Sequence, residues 1–344
     1  MQGKLIRSCL RNFALAAACT GMLHAANYTF QTINDPADIP LQTPVFNQLL
    51  GINNSGVIAG YFGDGTKVNN NGFTYQNGAF TAENVSGADQ TQVVAINNTL
   101  TGGTYNTAGF SVINATGVNH GFTNVGGTFT QVDGPSTTFT QVLGLNDNSQ
   151  AVGFYNDTNG NAHGFLYSLS TQKLTTLSLP ASLGATAVTA TGINNAGWIV
   201  GFYVVSGADN GFIYNPLTNT YSTPTDPNGT NPMFFGVNDL GQVVGTDTAA
   251  GGFPEGFVYD STTNTWTVIS DPASVQTANG FGISGTTLNG INDLGQVVGF
   301  YADAAGNVDG LLATPTPEPG TFGLVGLLLT GIALLTKRRF AGRG

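Results

Sequence analysis

Short apolar runs separated by polar, glycine-rich turns recur along this chain, four to a repeat. One unit shows the pattern. Gln141-Val142-Leu143-Gly144-Leu145 is followed by Asn146-Asp147-Asn148-Ser149, then by Ala151 to Tyr155. A polar stretch leads to His163-Gly164-Phe165-Leu166-Tyr167, and a Thr-rich run ends the unit at Leu174 to Leu177. The alternation within each run has the period of two that a strand requires. Asn and Asp open the turns and glycine takes their left-handed position, which predicts hairpins. We label the four runs A to D.

The end of run A, Gly-Ile-Asn, marks the repeat. It stands at Gly51-Ile52-Asn53, Ala95-Ile96-Asn97, Gly144-Leu145-Asn146, Gly192-Ile193-Asn194, Gly236-Val237-Asn238 and Gly290-Ile291-Asn292. The spacings are 44, 49, 48, 44 and 54 residues, in the range of four-stranded propeller blades. Run C opens on a Gly-Phe pair in five repeats and on Gly310-Leu311 in the last. The second repeat fits worst. Its turn reads Asn97-Asn98-Thr99-Leu100 and its B region, Gly102 to Tyr105, is weakly apolar, which predicts an irregular blade.

The sixth repeat has runs A, B and C and no D, while Tyr28 to Pro36 reads as a D run with nothing before it. The spare strand at one end matches the missing strand at the other. The expected fold class is therefore all-β: a six-bladed propeller over residues 27–313, closed by the N-terminal strand. Closure also removes strand edges that invite aggregation. An open solenoid or two three-repeat units is the alternative, and the spare strand argues against it.

Composition agrees with strands rather than helices. Glycine numbers 49 and charged residues are 8%; glycine costs about 1 kcal/mol in a helix relative to alanine. Between residues 27 and 336 only Lys67 and Lys173 are basic, against all 19 acids. Such a field repels phosphate backbones, so nucleic acid is excluded as a partner.

The two ends read as export signals. Lys4, Arg7 and Arg11 precede an apolar run from Phe13 to Leu23, with Ala25 or Ala26 as the small residue for signal-peptidase cleavage, so residues 1–26 are expected to be a signal peptide. Leu15-Ala16-Ala17-Ala18-Cys19 loosely resembles a lipoprotein box with its Leu one position too far back. Both cysteines, Cys9 and Cys19, fall in this segment, so a cleaved chain has no disulfide. At the other end, Pro317-Glu318-Pro319 lies in a proline-rich linker, residues 314–320. An apolar helix over 321–336 is expected next, then a basic tail, 337–344, opening with Lys337-Arg338-Arg339. The apolar run is shorter than the ~20 residues of an ordinary spanning helix. The cluster after it would hold that end in the cytoplasm.

This order of motif, short helix and basic cluster resembles the PEP-CTERM sorting signal of Gram-negative bacteria. The resemblance implies an exosortase as partner and cleavage near Pro317-Glu318-Pro319. It implies an inner-membrane-anchored precursor, delivered to the cell surface or to an exopolysaccharide matrix. The repeats resemble the HAF repeat of bacterial extracellular proteins, best at Asn146-Asp147 through Ala151-Val152-Gly153-Phe154-Tyr155 to His163-Gly164-Phe165-Leu166-Tyr167. That resemblance spans residues 28–313 and implies no defined activity.

Candidate chemistry is sparse. His120 and His163 share one repeat position, just before Gly-Phe, which is held elsewhere by Asn71, Asn210, Glu255 and Asp309. A position open to four residue types reads as a polar strand entry rather than a catalytic base. No nucleophile elbow is present, and no cysteine remains for nucleophilic catalysis or zinc. Carboxylates are the remaining resource. With run A innermost, Asp64, Asp157, Asp209, Asp303 and Asp309 fall at B–C loops, and Asp35, Asp133, Asp226 and Asp271 at D–A junctions, so most acid lies on one face. This reads as a solvated rim, or as a surface that bridges to acidic polysaccharide through Ca²⁺, the one cofactor the sequence leaves room for. Asp157-Thr158-Asn159-Gly160-Asn161 resembles part of a calcium loop without its late Glu. Trp198, Trp266, Phe154, Phe202 and Phe300 are expected to pack between blades, with sugar stacking as the alternative. The expected function is a non-catalytic, exosortase-sorted surface or matrix protein, structural or adhesive. A glycan- or Ca²⁺-binding propeller and a polysaccharide-acting enzyme are the rivals.

Overall fold

The computed structural model describes residues 28–38, 44–63, 70–135 and 137–316. They form six four-stranded antiparallel sheets arranged as propeller blades. In blade 3 the strands, from the axis outward, are Thr140–Leu145, Gln150–Asn156, Ala162–Ser168 and Lys173–Thr176. The other blades repeat this order.

Closure follows the sequence expectation. Blade 6 takes Thr286–Ile291, Val297–Ala302 and Val308–Pro315 from the end of the ring and Tyr28–Thr32 from its beginning. Tyr28 pairs with Pro315 and Thr32 with Leu311. The borrowed strand reproduces a contact that blade 3 makes within one stretch of chain. Tyr301 Oη meets Thr32 Oγ1 at 2.9 Å, as Tyr155 Oη meets Thr176 Oγ1 at 3.0 Å.

The Gly-Ile-Asn phrase builds the axis, one position at a time. Every inner strand has a register break at the residue before the phrase: Leu50, Val94, Leu143, Thr191, Phe235 and Asn289. A bulge leaves that residue unpaired and turns it aside. The glycine follows because inner strands of neighbouring blades nearly touch. A Cβ on Gly192 would sit 2.7 Å from Phe235 O. The apolar residue after it, such as Ile193 or Val237, is buried between blades, where each such side chain contributes about 1.5–3 kcal/mol.

Blade 2 departs from the sequence reading. Asn97 to Leu100 is not its turn; the inner strand Gln90–Thr101 runs through it. The chain reverses at Gly102-Gly103, both at positive φ (61° and 95°), and the second strand is Thr104–Ile113. The extra ladder, Leu100 opposite Tyr105, lengthens the hairpin. Gly109-Phe110, not Gly102 to Tyr105, therefore matches the Gly-Phe of the second strands of blades 3, 4 and 6.

The single helical element among the described residues is a 3₁₀ turn, Ala181–Leu183, and no described helix is long and apolar enough to cross a membrane. The expected signal peptide with Ala25 and Ala26, the helix over 321–336, and Pro317, Glu318, Pro319, Lys337, Arg338 and Arg339 lie outside the described residues, as does Asp64.

Candidate functional site

The ring axis has two mouths, built from the same six strands. At the mouth formed by the A–B turns, the asparagine of each phrase reaches the next blade. Asn53 Nδ2 donates to Asn97 O at 3.0 Å, Asn97 to Asn146 O, Asn146 to Asn194 O, Asn194 to Asn238 O, Asn238 to Asn292 O, and Asn292 back to Asn53 O at 3.0 Å. The following residue makes a second closed circle. Backbone N–H groups of Asn54, Asn98, Asp147, Asn195, Asp239 and Asp293 each donate to the side-chain oxygen of the next member, at 2.7–2.9 Å. Outside blade 2 these side chains are turn formers, as the sequence implies, and in all six blades they are also an inter-blade clasp.

At the opposite mouth the bulged residues open a cavity of about 310 Å³. Its wall is uneven. Leu50, Val94, Leu143, Phe110, Phe154, Phe202 and Phe235 supply apolar surface, and Gln92, Gln141, Thr189, Thr191 and Asn289 supply polar groups. Phe202 and Phe235 meet edge to face, with centroids 6.2 Å apart at 89°. Thr191 Oγ1 donates to Phe234 O at 2.7 Å, so its proton is committed. The Asn289 Oδ1 is buried and has no hydrogen-bond partner. A buried acceptor left unmatched by protein groups is uncommon, and in a cavity this size an ordered water or a ligand hydroxyl would match it. No titratable side chain lines this cavity.

The aromatics singled out by sequence divide. Trp198 and Trp266 pack on the core of blades 4 and 5, and Phe300 is buried beside Phe46 and Tyr61. Phe154 and Phe202 line the cavity. Their partners Phe110, Phe235, Gln92, Gln141 and Asn289 were not singled out. The signal for Phe235 and Asn289 is the residue before each Gly-Ile-Asn, which changes from blade to blade while the phrase hardly does.

The acids are less solvated than composition suggests. Asp35, Asp226, Asp271 and Asp309 are buried rather than on an open rim. Three of them cap their own Asp-Pro turns, accepting from Ala37, Asn228 and Ala273 N–H. Burial raises the pKa values of Asp271 and Asp309. The two histidines stand apart, each paired on its own blade: His120 Nδ1 with Asp133 at 3.0 Å and His163 Nε2 with Asp157 at 3.1 Å. The Asp157 carboxylate also accepts from Asn159 N, Asn161 N and Asn161 Nδ2. Its oxygens are occupied by donors, led by His163, which hold it well below the usual carboxylate range. That stretch is a hydrogen-bonded turn rather than part of a calcium loop.

A third concavity, about 510 Å³, lies between blades 1 and 2 and includes Tyr105, Phe129, Asn124 and Glu83. Glu83 accepts from Asn124 Nδ2 at 2.8 Å and from Thr107 Oγ1. Burial raises its pKa against those bonds. Among the described residues no three or more His, Cys, Asp or Glu side chains are grouped to hold a metal ion.

No family model and no curated protein matches this chain. Solved structures share its architecture. TolB from Acinetobacter baumannii is similar over 77% of this chain and 65% of its own, at 12% identity and a TM-score of 0.52. A putative TolB from Agrobacterium tumefaciens is similar over 80% and 92%, at 10% identity and a TM-score of 0.53. The chain thus spans less than two thirds of the Acinetobacter protein's length. At these identities the likeness is one of fold: a six-bladed β-propeller of four-stranded antiparallel blades.

Proposed function

We propose that this chain is an exported, non-catalytic binding propeller that takes a saccharide unit in the axial cavity. The cavity at the bulged mouth carries the reading. Half-buried phenyl rings of Phe154, Phe202 and Phe235 offer apolar faces for a sugar ring, and the amides of Gln92, Gln141 and Asn289 offer directional partners for hydroxyls. Its volume of about 310 Å³ matches the lower end of small-ligand sites, about 300–1,000 Å³. A wall without titratable groups supports binding rather than turnover, since general acid–base work needs a positioned acid or base.

The resemblances seen in the sequence supply the setting. An exosortase would recognise Pro317, Glu318 and Pro319 with Lys337, Arg338 and Arg339. Signal peptidase would cut at Ala25 or Ala26, and the ring would reside in or against extracellular polysaccharide. The ligand would then be a unit of that polysaccharide, and the role adhesive.

Binding of the purified full chain to an immobilised panel of bacterial exopolysaccharides, repeated with the F154A/F202A double variant, tests the reading. At least one glycan should bind, and its affinity should fall about tenfold or more in the variant, since each stacked ring is worth about 0.5–1.5 kcal/mol beyond its buried area. Silence across the panel, or equal binding by a folded variant, would overturn it.

A further inference from the structure

Between blades 1 and 2 the repeat is broken at three apolar positions together. The residue facing the third-strand Gly of the Gly-Phe pair, or of Gly310-Leu311 in blade 6, is Val132, Leu177, Ile269 and Ile33 in blades 2, 3, 5 and 6, and Glu83 in blade 1. Two residues before the second-strand glycine, blade 2 has Thr107 where the others have Ile58, Ala151, Ile199, Val243 and Val297. Three residues past the third-strand glycine it has Asn124, where blades 1, 3, 4 and 5 have Tyr75, Tyr167, Tyr214 and Tyr259.

The three replacements converge. Thr107 Oγ1 and Asn124 Nδ2 both donate to Glu83 Oε1. Two acceptors are left over. Glu83 Oε2 takes neither bond, and no ion pair reaches Glu83 among the described residues. Asn124 is 7% exposed, and its Oδ1 is buried with no hydrogen-bond partner. Neither acceptor can satisfy the other, and a carboxylate drawn out of water without a cation is costly. A closed network would need no further partner; this one is short of donors and of positive charge. It also borders open space. Glu83 and Asn124 lie on the wall of the 510 Å³ concavity, with the rings of Tyr105 and Phe129.

We propose that this concavity binds a primary ammonium group carried on a small organic body, such as an amino sugar with a free amine. An ammonium has three donors and one positive charge. Glu83 Oε2 takes one N–H in a charge-assisted bond and Asn124 Oδ1 takes another. The aromatic rings offer a face to the cation or to the body that carries it. The site is separate from the axial cavity and stands whatever that cavity holds. An amino sugar and a simple alkylamine present the same ammonium, so the probes below distinguish them.

Calorimetric titration of the full chain with glucosamine, N-acetylglucosamine and cadaverine, each alone and near neutral pH, tests the site. The wild type should take up glucosamine at millimolar concentrations. E83Q should bind it about tenfold more weakly or worse, since the charge-assisted bond is lost. N124Y, which restores the residue of four other blades, should block the concavity and abolish the uptake; it is read in place of E83Q should that variant not fold. N-acetylglucosamine keeps the ring and lacks the ammonium, so it should show no uptake that depends on Glu83. Tighter binding of glucosamine than of cadaverine would identify an amino sugar as the source of the ammonium, and the reverse order an alkylamine. A wild type silent to both amines would overturn the proposal and leave water as the occupant. So would amine uptake by a folded E83Q or N124Y equal to that of the wild type.

Discussion

The two mouths of the axis differ by only three residues of inner strand, yet they obey opposite rules. At the turn mouth, the asparagines close two hydrogen-bonded circles and the residue types hardly vary. At the bulged mouth, the corresponding residues are Leu50, Val94, Leu143, Thr191, Phe235 and Asn289, and one amide oxygen is left unmatched. The first mouth has spent its polar groups on holding blades together. The second leaves the Asn289 amide oxygen unmatched, on a frame that the first clasps together. Regularity in this repeat marks the blade-to-blade clasp, and irregularity marks the walls of the axial cavity.

Three perturbations probe that division. Deleting Tyr28–Thr32 opens the ring and should ruin both mouths. Tyr28 and Phe30 pack on the blade 6 core, and with the lost ladder bonds the loss should reach about 4–8 kcal/mol in urea unfolding. An unchanged midpoint would refute closure as the source of stability. A paired substitution separates the mouths. N194A strips a bond to Asn238 O and leaves Trp198 N–H without its acceptor, which should cost about 2–4 kcal/mol. N289L removes an unmatched amide oxygen, so stability should hold or rise by up to about 1 kcal/mol while glycan binding weakens. Equal destabilisation by both would erase the contrast.

The smallest effect concerns pH. Burial, first, and then Asp226 push the Asp247 carboxyl from its ordinary 3.8 up to about 7. Folding therefore favours its protonated form. The associated stability is fully present below about pH 4 and is lost as pH rises through about 7. The Tm should rise modestly from pH 8 to pH 5, and this rise should shrink in D247N. Acidification that leaves the wild-type Tm flat or lowers it throughout that window would count against the buried pair.

Much of the ring was legible because its signals are local and periodic. Gly-Ile-Asn fixes a bulge, a close backbone approach, a core side chain and a turn, and the unmatched run from Tyr28 to Pro36 disclosed closure. The clasp was not legible, since that asparagine's acceptor lies a full blade away. The blade 2 hairpin was misplaced because Asn97-Asn98 has turn composition, while Gly102-Gly103 reverses the chain more readily. The cavity depends on where bulges aim side chains, which alternation alone does not reveal. Asp247 escaped notice because the apolar run ends at Gly245. Its signal was comparative: Thr246-Asp247 stands where blades 3, 4 and 6 read Phe-Tyr.

Closure by the first strand has a mechanical consequence. Tyr28 lies opposite Pro315, so the chain enters and leaves the ring side by side at one corner of blade 6. Tension applied between those two points pulls the antiparallel pair apart from its open end. It loads one rung at a time, beginning with Tyr28 and Pro315, rather than sharing the force along the strand. Tension across any other blade meets continuous chain. The seam that completes the ring is thus the place where a tethered molecule would begin to peel.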